Sequence, residues 1–232
     1  QVTRHPLVKR FAALSAFVAR QLINLYDVDS ARIVIIRNAV DLPPMDDTQR
    51  VERRAAARRR LGIDEQTTVF LFAAFNPRLK GARTIERAMR RLRGEPIVTL
   101  MAGPAGGASS GAMRWLGPVG DMDELRAAAD AVVMPTHYDP SSRVVIEAVR
   151  RGLAVIGSAF DGSTELLGDG AIVLADPADD AALAEAMRQL TDPAERRRRV
   201  EIAAQATANG AFTMARHTAE LETLLLAVAS EA

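Results

Sequence analysis

The sequence contains no cysteine, which excludes disulfides, zinc–thiolate sites and cysteine nucleophiles. It contains no apolar run of membrane-spanning length, so no transmembrane helix is expected. The first residues do not read as an export signal, because Arg4, His5, Lys9 and Arg10 interrupt their apolar pattern. The cytoplasm is therefore the expected compartment. Net charge is nearly absent too, at +1, which gives no global reason to expect nucleic acid as a partner. The histidines, at 5, 137 and 217, pair with no Ser and Asp at a hydrolase-like spacing. Lysine is scarce: it occurs only at positions 9 and 80 of an arginine-rich chain, so each lysine draws notice.

What is present suits a globular chain. The 232 residues suffice for one large domain or two small ones. Hydrophobic residues make up 48% and charged residues 25%, ordinary values for a soluble protein. Positive charge is dense in one segment, where Arg50, Arg53, Arg54, Arg58, Arg59 and Arg60 crowd together. With Ala55, Ala56, Ala57 and Leu61 as helix formers, this reads as a solvated helix. A sharper reading is attraction to anionic lipid headgroups at the inner face of a membrane.

Periodicity then orders the chain. Leu7, Phe11, Leu14, Val18, Leu22 and Leu25 fall three or four apart, which predicts a mostly helical start, with a short strand over Arg10 to Ser15 as the alternative. Arg32 to Arg37 reads as a buried strand, and Leu42 to Asp47, with two prolines, as a linker. Beyond it, strands are expected at Thr68–Ala74, Pro96–Met101, Ala131–Met134, Ala154–Gly157 and Ala171–Leu174. Helices are expected at Ala82–Leu92, Met122–Ala128 and Ser142–Arg151, and three more close the chain near 179–190, 193–207 and 212–229. Short apolar strands alternating with helices give an α/β fold, a doubly wound Rossmann-like parallel sheet covered on both faces. Ligands of such sheets sit at the carboxyl ends of the strands. The loops of interest therefore follow Ala74, Met101, Met134 and Gly157.

Two of these loops carry chemistry. Phe75-Asn76-Pro77-Arg78-Leu79-Lys80-Gly81 puts two cations and a glycine at a helix start, where free N–H groups and the dipole add positive charge. Such a site suits a diphosphate; the plainer reading is a pair of solvated charges. In the second loop, Asp139 lies past a strand end, Ser141 or Ser142 can cap the next helix, and Glu147 follows Asp139 after seven residues. At 1.5 Å per residue, Glu147 lies about 7.5 Å along the helix axis. A ligand across this N-terminus could meet both carboxylates, which accept bidentate bonds from vicinal hydroxyls, and the amides of Ser141, Ser142 and Arg143. Sugar, diphosphate and ribose in that order describe a nucleotide sugar. Against this stand a surface ion pair of Glu147 with Arg143 or Arg151 and an ordinary Asp-Pro turn at Asp139.

The stretch from His137 to Gly157 resembles the signature of glycosyltransferase family 4, a retaining family of two-domain GT-B architecture. The matching residues are Asp139, then Glu147-Ala148, then Gly152-Leu153-Ala154-Val155-Ile156. Asp stands where Glu is usual, as in relatives of the lipopolysaccharide-core glucosyltransferase type, and Ala154 replaces the usual proline. Gly162-Ser163-Thr164-Glu165-Leu166-Leu167, Asp169-Gly170 and Asp176-Pro177 resemble the closing segments of the family. Arg78, Lys80 and Gly81 resemble its phosphate loop, at tighter spacing than the commonest version. Leu14-Ser15 and Asn38-Ala39-Val40-Asp41 resemble the segment leading out of an acceptor domain.

The resemblance implies the C-terminal half of a GT-B glycosyltransferase. Residues 1–41 would end an acceptor domain and 42–232 would form the nucleotide-sugar donor domain. Lys80 and Arg78 would hold the donor diphosphate and stabilise its departure. Asp139 would contact the transferred sugar and Glu147 the ribose. The amides near Ser141, Ser142 and Arg143 would complete the phosphate cradle, and the loop from Trp115 through Pro118 and Val119 would form part of the base pocket. Asp121-Met122-Asp123 reads as a helix start rather than a metal pair, and no metal or other cofactor is expected. The expected partners are a nucleotide sugar such as a UDP-sugar, a glycan or glycolipid acceptor, and an acceptor-binding domain outside this sequence; peripheral membrane contact is compatible. A non-catalytic nucleotide-sugar-binding module, or a truncated glycosyltransferase, is the alternative. An unrelated Rossmann nucleotide binder is disfavoured, since no strand runs into Gly-x-Gly-x-x-Gly; Gly103 to Gly107 comes nearest and reads better as a flexible loop.

Overall fold

In the computed structural model, residues 2–43, 45–104 and 109–231 are described. Short elements open the chain. Strand β1 (Phe11–Ala13) leads to helix α1 (Ala16–Tyr26), and β2 (Ile33–Ile35) returns parallel to β1. Only the later part of the expected N-terminal helix forms. Ser15 is extended and its hydroxyl accepts from Val18 N, so the helix begins there and residues 11–13 pair as a strand.

The arginine-rich segment forms α2 (Asp47–Leu61). It is followed by β3 (Thr68–Ala73), α3 (Ala82–Arg91), β4 (Ile97–Ala102), β5 (Met113–Gly117) and α4 (Met122–Ala128). Then come β6 (Ala131–Val133), α5 (Arg143–Arg150), β7 (Ala154–Ser158) and β8 (Ala171–Leu174). Helices α6 (Asp180–Gln189), α7 (Pro193–Ala206) and α8 (Met214–Ser230) end the chain. Strand β5 is absent from the periodicity because its residues are all half-buried and do not alternate. The Gly103–Gly107 reading lies partly outside the described residues, as does Pro44 of the expected linker.

Strands β3 to β8 make one parallel six-stranded sheet in the order β5-β4-β3-β6-β7-β8. This is the doubly wound arrangement. The chain runs outward through β3, β4 and β5, then returns to lay β6 against the other side of β3. Helices cover both faces, so β3, β4, β6 and β7 are buried along their whole length. Helix α3 shows the packing rule: Ile85, Ala88 and Met89, followed by Leu92, turn one face to the core, and full burial of a side chain of the Ile or Leu kind is worth about 1.5–3 kcal/mol. Among the described residues, no helix is long and apolar enough to cross a membrane.

Helix α2 is not simply solvated. Arg58 is 1% exposed. Its guanidinium donates to the carbonyls of Ala128, Asp64 and Thr67 and to Asp130 Oδ2. One turn earlier, Arg54 reaches Asp130 Oδ1 at 2.8 Å. Asp130 also accepts from Val69 N at 2.7 Å, so a single carboxylate ties α2 to the amino ends of β3 and β6.

Candidate nucleotide-sugar site

The switch point lies between β3 and β6, where loops leave the sheet in opposite directions and open a crevice. Both loops singled out from the sequence flank it. In the first, Asn76 Oδ1 accepts from Leu79 N, and backbone bonds from Lys80 to Asn76 and from Ala82 to Pro77 wind the chain into α3. Gly81 ends the turn at φ 87°. A Cβ there would lie 2.1 Å from the carbonyl oxygen of Pro135 in the second loop. His137 N and the Thr136 hydroxyl both donate to Leu79 O. The two loops are thus fastened to each other along their backbones.

Lys80 crosses the junction. Its Nζ donates to Asp139 Oδ2 at 2.6 Å and to Tyr138 O at 3.0 Å. The fold therefore unites two residues that lie 59 positions apart. The other carboxylate oxygen of Asp139 accepts from Ser141 N at 3.1 Å. Asp139 itself is 9% exposed, so this pair sits at the crevice floor.

Asp161, unremarked in the sequence, joins them. Its backbone and that of Asp139 form a parallel bridge. Its Oδ1 accepts from Ser142 N at 3.2 Å and Ser163 N at 2.8 Å, while Oδ2 is buried without a partner among the described residues. Burial, then the charge of Asp139, push this carboxyl up to about 6. Phe-Asp-Gly-Ser reads as an ordinary turn; only the strand order of β6 and β7 carries it to the helix mouth.

These bonds revise the expected cradle. Ser141 and Ser142 N–H are taken by Asp139 and Asp161, and the Ser142 hydroxyl caps Val145 N. The amides of Arg143 and Val144 make no hydrogen bond among the described residues, as the first turn of a helix allows. Glu147 pairs with Arg126 of α4 at 2.8 Å rather than with Arg143 or Arg151; Arg151 instead reaches Asp123. Arg78 is exposed, makes no ion pair among the described residues, and lines a cavity of about 470 Å³ with Asn76, Arg83 and His137. Pro118 is exposed after β5, and Val119 packs partly against the core.

Asp121 caps α4 by accepting from Asp123 N and Glu124 N, and Asp123 is held by Arg126 and Arg151. Both carboxylates of the Asp-x-Asp are committed within the protein. No cluster of three potential metal ligands occurs among the described residues.

The N-terminal segment closes one side. Ser15 Oγ donates to Pro140 O at 2.7 Å and Asn38 Nδ2 to Ser141 O at 3.0 Å. Glu165 accepts from the first amides of α1, Ala16 N and Phe17 N, and pairs with Arg37.

A family model described as "Glycosyl transferases group 1" matches residues 66–192, over half of the chain and both loops of the crevice. The chain belongs to the group 1 glycosyl transferases. Among the curated relatives of this glycosyltransferase family, a D-inositol 3-phosphate glycosyltransferase of Geodermatophilus obscurus is 32% identical, covering 81% of this chain and 48% of that protein. The enzyme of the same name from a Nocardioides species is 29% identical, covering 75% and 44%. The chain spans about half the length of the curated relatives it matches.

Solved structures share the fold. A glycosyltransferase of Rickettsia africae superimposes with a TM-score of 0.81 at 17% identity, over 97% of this chain and 65% of that one. WaaG, a glycosyltransferase involved in lipopolysaccharide biosynthesis, gives 0.76 at 21% identity, over 90% and 61%. Anabaena Alr3699/HepE, solved with UDP and glucose, gives 0.76 at 20% identity, over 93% and 62%. The expected GT-B type of α/β sheet is therefore present.

Proposed function

We propose that this chain supplies the donor half of a retaining glycosyltransferase of family 4, which takes a nucleotide-diphosphate sugar and passes the sugar to a hydroxyl acceptor. The observation that carries the reading is the Lys80–Asp139 pair at the switch-point crevice, beside the free amides of α5. On sugar transfer the anomeric C–O bond to the diphosphate breaks and a C–O bond to the acceptor oxygen forms; the diphosphate leaves with the electron pair and takes up the proton of the acceptor hydroxyl. Lys80 stabilises that developing charge, with the N–H groups of Arg143 and Val144. Asp139, released from Lys80 by the phosphate, accepts from sugar hydroxyls. Glu147 accepts from the ribose diol, and Arg126 orients it. Arg78 and Arg83 line the cavity beside the first loop, from which their charge draws the anion in.

UDP is the favoured nucleotide, supported by the likeness to the HepE structures solved with UDP and UDP-glucose. The names of the relatives support a phosphorylated polyol or a glycolipid as acceptor, bound outside these residues. The roles assigned here need no divalent cation.

Calorimetric titration with UDP, GDP, UDP-glucose and GDP-mannose, without metal, tests the site. Saturable binding weakened in Lys80→Ala is expected, and EDTA leaves it unchanged. Nucleotide binding indifferent to Lys80→Ala would overturn the assignment.

A further inference from the structure

A second cavity, of about 620 Å³, opens at the opposite end of the strands. Two of its wall residues fix its place: Asp130 immediately precedes β6 and Leu153 immediately precedes β7. It therefore lies at the amino ends of the strands, away from the crevice. Its size falls within the roughly 300–1,000 Å³ range of small-molecule sites.

The charge of this cavity is unbalanced. Six guanidiniums line it, from Arg50, Arg54, Arg126, Arg151, Arg196 and Arg197, against the carboxylates of Asp123, Asp130 and Glu201. Asp130 is further claimed from outside the cavity by buried Arg58. Asp123 is shared between Arg126 and Arg151.

Three of the arginines keep donors to spare. Arg197 makes no ion pair or hydrogen bond among the described residues, and neither does Glu201. Arg50 is held by the Met45 carbonyl at 3.3 Å and stands 4.0 Å from an exposed Asp47. Its Nη1 lies over Gly152, 3.1 Å from where a Cβ would sit, so the glycine makes room for the guanidinium. Arg196 spends Nη1 on two carbonyls and leaves Nη2 4.0 Å from Asp130. Between these groups lie Val51 and Val200, which give the cavity an apolar wall.

Guanidinium forks match the geometry of phosphate oxygens. We propose that this cavity binds a phosphate-bearing anion of pyrophosphate size or larger, held by Arg50, Arg196 and Arg197. Arg126 lines the cavity and also holds Glu147, so the cavity shares a wall residue with the proposed ribose contact.

Metal-free pyrophosphate is the probe, titrated calorimetrically into wild type, Lys80→Ala and the double variant Arg50→Glu/Arg197→Glu. Two classes of site are expected in wild type. Lys80→Ala removes one, and the double variant weakens the other at least tenfold while keeping the wild-type melting temperature. A single class lost only in the double variant would uphold the cavity and sink the donor reading. A double variant that titrates like wild type, or a wild type whose only class is lost in Lys80→Ala, would overturn the cavity proposal. Flotation with phosphatidylcholine vesicles, with and without phosphatidylglycerol, separates the sources. Flotation on the anionic vesicles that the double variant abolishes assigns a lipid headgroup, and pyrophosphate binding without flotation assigns a free phosphate.

Discussion

Lys80 and Asp139 pair at 2.6 Å, and under the proposed function a diphosphate would take the lysine for itself. A hydrogen bond to a charged group contributes about 1.5–3 kcal/mol. Lys80→Ala is therefore expected to weaken UDP binding by roughly 10- to 100-fold, measured by titration. Asp161 makes a different prediction. Its carboxyl is pushed up to about 6 from an ordinary 3.8. Between those values the unfolded chain has lost a proton that the folded chain keeps, so stability is greatest below 3.8, falls as pH rises, and levels off above 6. Asp161→Asn removes this cost. Thermal unfolding should show the variant more stable by on the order of 2–3 kcal/mol at pH 7.5, with the two curves converging near pH 4. An equal difference at both pH values would refute the assignment. Lys80 and Asp139 each follow a strand end in the sequence, which places them on one side of the sheet, while the roles expected of them and of Glu147 came from the family resemblance. Asp161 was not legible there, nor was the Glu147–Arg126 pair, because both depend on which strands and helices become neighbours.

Elements show the same division. The strands β3, β4, β6 and β7 announce themselves because burial on both faces demands continuous apolar runs. Strand β5, at the sheet edge, makes no such demand. Helix α2 misleads differently: its composition speaks of solvent, yet Arg54 and Arg58 turn inward to Asp130. Arg58→Met should therefore destabilise the fold by about 3–5 kcal/mol, the cost of leaving a buried carboxylate short of its partner. Arg53→Met, on an exposed position of the same helix, should stay within about 0.5 kcal/mol. Chemical denaturation of both variants checks the contrast.

At the scale of the molecule, a ligand that binds only the folded chain raises its stability. UDP at 100 times its Kd should add about 2.7 kcal/mol, or roughly 5–10 °C of melting temperature for a chain of this length. At the same UDP concentration a 10- to 100-fold weaker Lys80→Ala should keep only about 0.4–1.4 kcal/mol of this gain. The overall architecture was legible because alternation of strand and helix leaves few topologies, and right-handed crossovers reduce them further. The pairing of β1 with β2 was not, since each has only three residues.

The fastening of the two crevice loops has a consequence for inheritance. Gly81 admits the Pro135 carbonyl, and Leu79 O receives both His137 N and the Thr136 hydroxyl. Residues 75–81 and 134–142 are therefore expected to be constrained together. Gly81→Ala alone should cost at least about 1–3 kcal/mol for its left-handed backbone, and more for the clash. In a library randomised over both loops, functional survivors should show paired changes, with substitutions on one loop tolerated only in company with particular residues on the other. The route by which such a site acquires a new sugar would then run through coordinated steps rather than single ones.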